Sequence, residues 1–318
     1  MSIVFVGTPD FAVPSLRRLV ADGFEVSTVI TQPDRPTGRH RHRVTPSPVK
    51  VTAGELGLPV FQPESLREPA AVEEIRRLGP EVMVVVAYGQ ILRQAVLNIP
   101  PRGVINVHAS LLPAYRGASP VAAAILAGDE ETGVSIMLMD EGMDTGPVLS
   151  QRRETISQED TTGSLSERLS QMGADLLGDT LPRWLGGEIT PQPQDESRST
   201  VTRLTRKEDG EIDWRLPAVE IWRRVRACNP WPGAHTSLAS ERVTIWRAWP
   251  MEGDAGQHGM IVAVPGSVHP ETGAAAFAVQ TGNGLLAVRE LQRAGRKTVG
   301  AAEFLRGAPG LIGKQFGK

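Results

Sequence analysis

Cysteine is nearly absent from this 318-residue chain. Its one thiol, Cys228, excludes an internal disulfide framework, and no Cys/His cluster has the spacing of a structural zinc site. Such usage predicts a reducing, cytoplasmic compartment. Long apolar runs are missing too. None approaches the roughly 20 residues that span a bilayer, and Met1-Ser2-Ile3-Val4-Phe5-Val6-Gly7 lacks the basic region and apolar length of a signal peptide. No membrane association is therefore expected. Charge of one sign is also scarce: a net charge of −2 argues against indiscriminate nucleic-acid binding, although basic residues are in excess beyond about residue 205 and acidic ones before it. Solvated surface explains that split as readily as a polyanion partner does. Internal repeats and long low-complexity tracts are absent. The first predicted strand-to-helix turn, Gly7-Thr8-Pro9-Asp10-Phe11, lacks the three spaced glycines of a dinucleotide site, and no phosphate-loop lysine follows it.

What is present is an alternation of apolar runs and helix-period segments through the first half, the pattern of βαβ units and a mainly parallel sheet. Strands are predicted over 2–6, 25–31, 81–87, 103–107, 133–139 and 148–154, and helices over 11–21, 48–56, 70–78 and 119–127. The continuous run Val82-Met83-Val84-Val85-Val86 suits a strand covered on both faces. Leu165, Leu169, Leu176, Leu177, Leu181 and Trp184 predict one long helix over 161–185, with Pro182 as a possible kink. A Gly-, Pro-, Gln- and Ser-rich stretch over 186–199 is the linker candidate. Beyond it, β-prone runs over 243–249, 260–264, 274–280 and 285–291 and a helix over 217–227 predict a smaller barrel or sandwich.

The chemistry concentrates in Gly103-Val104-Ile105-Asn106-Val107-His108, followed by Ser110-Leu111-Leu112-Pro113-Ala114-Tyr115-Arg116-Gly117. The side-chain period of two points Asn106 and His108 to the same face of a strand, at the sheet end where open α/β folds bind ligands. With Asp144, in Asp140-Glu141-Gly142-Met143-Asp144-Thr145-Gly146, they offer an oxyanion donor, an imidazole and a carboxylate. A turn-capping Asn, a core His or a turn-stabilising Asp would be ordinary singly. The pairing with the 110–117 loop favours chemistry.

Residues 33–43 carry four arginines and two histidines, which read either as a solvated loop or as an electrostatic clamp for phosphates. Dense guanidinium charge opposes a metal there. Asn229-Pro230-Trp231-Pro232-Gly233-Ala234 is a rigid turn whose aromatic is expected to pack against its own domain rather than stack on RNA. Arg223, Arg224 and Arg226 could meet phosphates or simply solvate their helix.

Together these residues resemble the methionyl-tRNA formyltransferase family. The likeness is carried by 5–12, 31–36, 46–50, 106–113, Tyr115-Arg116-Gly117-Ala118, 139–146, Ile212-Asp213-Trp214 and the 229–234 turn. The resemblance implies a Rossmann-like formyltransferase domain over 1–188, a linker over 189–205 and an OB-like tRNA-binding β-barrel domain over 206–318. It implies transfer of a formyl group from 10-formyltetrahydrofolate to the α-amine of initiator methionyl-tRNA, with no metal and no obligate protein partner. Asn106, His108 and Asp144 would be catalytic, Ser110, Leu111, Leu112 and Pro113 would line the folate, and Arg39, Arg41 and Arg43 would grip the tRNA. After Gly38-Arg39 the family commonly has Gly and then Lys or Arg, whereas this chain reads His40-Arg41-His42-Arg43, which keeps positive charge and loses glycine flexibility. The competing readings are a formyltransferase acting on a small amine, a formyltetrahydrofolate hydrolase, and a non-catalytic tRNA-binding protein.

Overall fold

The computed structural model describes residues 2–37, 43–254, 256–264 and 275–317. They form two compact units, one of residues 1–120, 131–155 and 166–202, the other of 121–130, 156–165 and 203–318. In the first unit the apolar runs become β1 (Ser2–Gly7), β2 (Glu25–Ile30), β3 (Arg35–Thr37), β4 (Arg43–Thr45), β5 (Val60–Phe61), β6 (Val82–Val86), β7 (Val104–His108), β8 (Arg116–Gly117), β9 (Glu131–Leu138), β10 (Val148–Thr155) and β11 (Val201–Thr202). The helices along the same stretch are α1 (Val13–Ala21), α2 (Pro48–Glu55), α3 (Pro69–Leu78), α4 (Gln94–Leu97), α5 (Pro120–Ala127) and α6 (Thr162–Leu185).

Among the described residues, seven strands form one sheet in the order β10-β9-β7-β6-β1-β2-β5. The five from β7 to β5 run parallel, and β9 and β10 are antiparallel additions. In β1, Ile3 and Phe5 alternate with Val4 and Val6, and all four are fully buried, so both faces of the sheet are covered. The edge strand β10 alternates between half-buried and exposed positions along most of its length, as a one-sided antiparallel strand should. The order reverses at β1, which has β2 on one side and β6 on the other, and this opens a crevice at the carboxyl ends. There Thr8 Oγ1 and Gln32 Nε2 donate to the Tyr88 carbonyl.

Helix boundaries follow local chemistry. The helix expected from residue 11 begins with a 3-10 turn at Asp10–Ala12 and becomes α-helical at Val13, with Pro14 in the first turn, where its missing N–H costs nothing. Ser47 caps α2 by accepting from the Lys50 N–H. Pro182 sits inside the last turn of α6.

The second unit contains α7 (Ala218–Ala227), β12 (Ala234–Leu238), β13 (Glu241–Met251), β14 (Ile261–Ala263), β15 (Phe277–Gln280), β16 (Leu285–Arg293), β17 (Val299–Gly300) and α8 (Ala301–Arg306). Its antiparallel sheet runs β12-β13-β16-β15-β14, with β17 against β16. The chain's last described residues then bridge the two open edges. Phe316 pairs with Leu238 at the end of β12, and Gln315 pairs with Met260 beside β14. The sheet is thereby curled into a barrel around Ile221, Val243, Ile245, Phe277, Val288 and Phe316.

Candidate active site

The end of β7 delivers both sequence-predicted donors to one place. Asn106 and His108 are nearly buried and lie on the same side of the strand. Asp144 arrives from the loop after β9, held in the left-handed region at φ 54°. Its Oδ1 accepts from Asn106 Nδ2 at 3.2 Å and its Oδ2 from the Gly117 N–H at 2.8 Å. His108 Nδ1 stands 3.5 Å from Oδ2. Its Nε2 faces the Tyr115 carbonyl at 3.0 Å, and since a carbonyl can only accept, Nε2 is the donor. The shortest hydrogen bonds of Asp144 therefore go to the amide and the glycine backbone, with the imidazole alongside. Tyr115 and Ser119 also have positive φ, 58° and 60°. Backbone strain of about 1–3 kcal/mol per residue survives only where the surroundings over-determine it, and it gathers here around the three candidate groups.

The loop after β7 is fastened from beneath. Ser110 is fully buried, its hydroxyl donating to the Ala114 carbonyl at 2.6 Å. Ser135 Oγ accepts from the Leu112 N–H and donates to the Ser110 carbonyl, while Gln151 Nε2 donates to both the Leu112 carbonyl and Ser135 Oγ. Of the four positions expected to line folate, Ser110 and Leu112 point into the protein, whereas Leu111 and Pro113 are only half-buried.

The polar stretch after α6 also belongs to the first unit's hydrogen-bond system. Gln194 Nε2 donates to the carbonyls of Asp144 and Gly146, and its Oε1 accepts from Arg116 Nε. The buried Arg116 guanidinium makes a two-pronged pair with Glu196, which raises the arginine's pKa and lowers that of the carboxylate. Thr200 Oγ1 accepts from the Tyr115 N–H at 2.8 Å, and β11 pairs with β8 in parallel. Composition had marked this stretch only as a linker, and its polar side chains gave no sign of which backbone groups they would meet.

Of the arginine-rich loop, Arg39 and Arg41 lie outside the described residues, and Arg43 opens β4, paired in register with Thr37 of β3. The base of this hairpin is anchored. Lys50 Nζ and Gln62 Nε2 both donate to the Asp34 carboxylate, and the Lys50 contact is the larger cause of its lowered pKa.

In the second unit the three helix arginines are spent on carbonyls. Arg223 reaches Ala127, Arg224 reaches Asp209 and Glu211, and the buried Arg226 reaches Asp160 and Ser157 while stacking 4.4 Å from the Trp222 ring centre. Arg226 is buried, whereas Arg223 and Arg224 are only half-buried. Trp231 corrects the expectation of packing: it is 58% exposed, because the turn is tied through Asn229 Nδ2 to the Trp246 carbonyl and the Gly233 N–H to the Cys228 carbonyl. A cavity of about 320 Å3 lies between Trp222, Arg226, Trp246 and Arg247, and none of its lining residues belongs to the Asn106, His108 and Asp144 cluster. Among the described residues, no group of three or more His, Cys, Asp or Glu could hold a metal, and no helix is long and apolar enough to cross a membrane.

Comparison with known proteins shows the family of the chain. The formyl transferase family model matches residues 1–181, and the formyl transferase C-terminal domain model matches 205–309. Methionyl-tRNA formyltransferase of Chloroflexus aurantiacus is 50% identical, covering 96% of this chain and 97% of its own. The chain belongs to the methionyl-tRNA formyltransferase family. A second member, from Roseiflexus sp., is also 50% identical and covers all of this chain and 95% of its own. More distant solved structures share the formyltransferase fold. A Helicobacter canadensis N-formyltransferase, in complex with folinic acid and dTDP-3-aminofucose, is 18% identical, with a TM-score of 0.65 over 90% of this chain and 98% of that one. HypX of Aquifex aeolicus, in complex with tetrahydrofolic acid, is also 18% identical, with a TM-score of 0.62 over 95% of this chain and 46% of the longer HypX chain.

Proposed function

We propose that this chain transfers the formyl group of 10-formyltetrahydrofolate to the α-amine of methionine esterified to initiator tRNA, in the cytoplasm. The observation that carries the reading is the convergence of Asn106, His108 and Asp144 at the carboxyl end of β7. In formyl transfer an uncharged amine bonds to the formyl carbon, charge grows on the formyl oxygen, and the bond to N10 then breaks. Asn106 has a second amide hydrogen beyond the one given to Asp144, and it donates to that oxygen. His108 also donates to it from Nε2, sharing that hydrogen between the formyl oxygen and the Tyr115 carbonyl. Asp144 accepts the proton shed by the attacking nitrogen, directly or through water, for return to the leaving N10. Leu111 and Pro113 line the folate, Ser110 and Leu112 set their position, and Arg39, Arg41 and Arg43 with the barrel engage the tRNA. Holding the two substrates in line supplies about 7–11 kcal/mol.

Formylation of methionine-charged initiator tRNA, run beside charged elongator tRNA and a tRNA-free control for tetrahydrofolate release, tests the reading. Selective formylation of the initiator is expected, whereas tetrahydrofolate release without formyl-methionine would favour a hydrolase or a small-amine formyltransferase. In the same assay Asn106→Ala and His108→Ala should each lower kcat by roughly 10² to 10³ with folate binding little changed. Near wild-type turnover in either variant would remove that residue from the oxyanion role.

A further inference from the structure

We propose that residues 192–202 form a positioning strap for the reacting groups, with Gln194 and Thr200 as its two working side chains. The inference rests on the function proposed above. All three hydrogen bonds of the Gln194 amide serve the site's two loops. Nε2 gives one proton to the Asp144 carbonyl at 2.8 Å and one to the Gly146 carbonyl at 2.7 Å, while Oε1 accepts from Arg116 Nε at 3.0 Å. Asp144 is thus gripped at both ends, its carboxylate by Asn106 and the Gly117 N–H, its backbone by Gln194. Such a grip is what a non-glycine residue at φ 54° requires to stay there.

Thr200 does the same for the imidazole at one remove. Its Oγ1 accepts the Tyr115 N–H at 2.8 Å, its own N–H donates to the Pro113 carbonyl and its carbonyl accepts from the Arg116 N–H. The residue so fixed, Tyr115, presents the carbonyl that faces His108 Nε2. The Arg116 and Glu196 pair locks the strap between these two contacts. One short segment therefore sets Asp144 through Gln194 and His108 through Thr200 and Tyr115. A strap that merely closed the fold would need only the β8 and β11 ladder.

The test compares Gln194→Ala, Thr200→Val and Thr200→Ser in the full-length chain. Thr200→Val removes the acceptor at nearly constant volume, and Thr200→Ser restores it. Gln194→Ala and Thr200→Val are expected to lower kcat by up to about a hundredfold, as misplacement of reacting groups does, with KM for folate and charged tRNA within about twofold of wild type. Thr200→Ser should recover most of the turnover. The imidazole 15N resonances of His108 give a readout that needs no substrate, and they should move in Thr200→Val and return in Thr200→Ser. Unchanged kcat in Gln194→Ala, a matching rise in KM, or indistinguishable Val and Ser variants would overturn the proposal. If the wild-type chain forms no formyl-methionyl-tRNA while the 15N resonances still respond, the functional reading fails and the strap stands.

Discussion

At the scale of single residues, the candidate pair was legible because a strand has a period that sequence displays. Asn106 and His108, two apart in an apolar run, had to share a face. The same reading grouped Asp144 with both, and its shortest bonds go to Asn106 and to a backbone N–H that no side-chain pattern announces. These bonds let the carboxylate orient the amide, beside the proton uptake proposed for it. Asp144→Asn has one accepting oxygen and an added NH2, so either Asn106 Nδ2 or the Gly117 N–H is left facing a donor. Turnover should fall by about 10² or more, with a stability loss of about 1–3 kcal/mol for the unsatisfied donor. Wild-type kcat in steady-state formylation would show that the carboxylate only shapes the loop. Cys228 is legible in the opposite sense, as a group without chemistry. It is nearly buried, its Sγ meets the Asp209 carbonyl at 3.6 Å, and burial pushes the thiol up to about 11. The nucleophilic thiolate is therefore scarce at neutral pH, and alkylation should wait for unfolding. Stoichiometric labelling of the folded protein at pH 7 would contradict that burial.

At the scale of elements, long periodic segments were legible and short ones were not. Six of the seven strands of the main sheet and helices α1 to α3, α6 and α7 fall within a few residues of expectation, because burial on one face or two imposes a visible pattern over five or more positions, whereas the two-residue β5 was not expected. Two-residue strands such as β8 and β11 carry no period at all, and they are what joins the strap to the site. The closure of the barrel by residues 314–317 is equally hidden, since two bridges leave no composition behind. Gly117 shows how tightly the β8 and β11 ladder is drawn. Its φ is +94°, and an added Cβ would meet the Thr202 carbonyl oxygen at 2.6 Å and Met143 Sδ at 2.9 Å. The thioether can swing aside and the backbone carbonyl cannot. Gly117→Ala should cost about 1–3 kcal/mol of stability and lower kcat further, because the Gly117 N–H is a ligand of the Asp144 carboxylate. Thermal denaturation and turnover measured on the same sample check this, and an unchanged melting temperature would mean the ladder relaxes freely.

At the scale of the whole molecule, the order of fold classes was legible from the change in pattern, helix-period segments giving way to short β-prone runs. Less visible was how the chain is shared between units. The barrel's unit takes in residues 156–165, which precede it by almost forty positions. Carbonyls of Ser157 and Asp160 accept from the Arg226 guanidinium, whose residue is only 8% exposed, and Glu159 pairs with both Arg247 and Arg289. No amphipathic period marks these contacts, because two of the acceptors are backbone. A fragment starting at residue 203 would leave the Arg226 guanidinium against the Trp222 ring without its two carbonyl acceptors, and hydrogen bonds to charged groups are worth about 1.5–3 kcal/mol each. The fragment should show faster amide exchange than the full chain along β13 and β16. Arg226→Met separates this cause from general truncation. In the full chain the substitution discards two charge-assisted bonds and should destabilise, whereas in the fragment it removes an unpaired buried charge and should stabilise. The sign of the effect is expected to reverse between the two backgrounds, and a substitution that destabilises both would show that Arg226 is held by its own unit's barrel residues, with 156–165 contributing little.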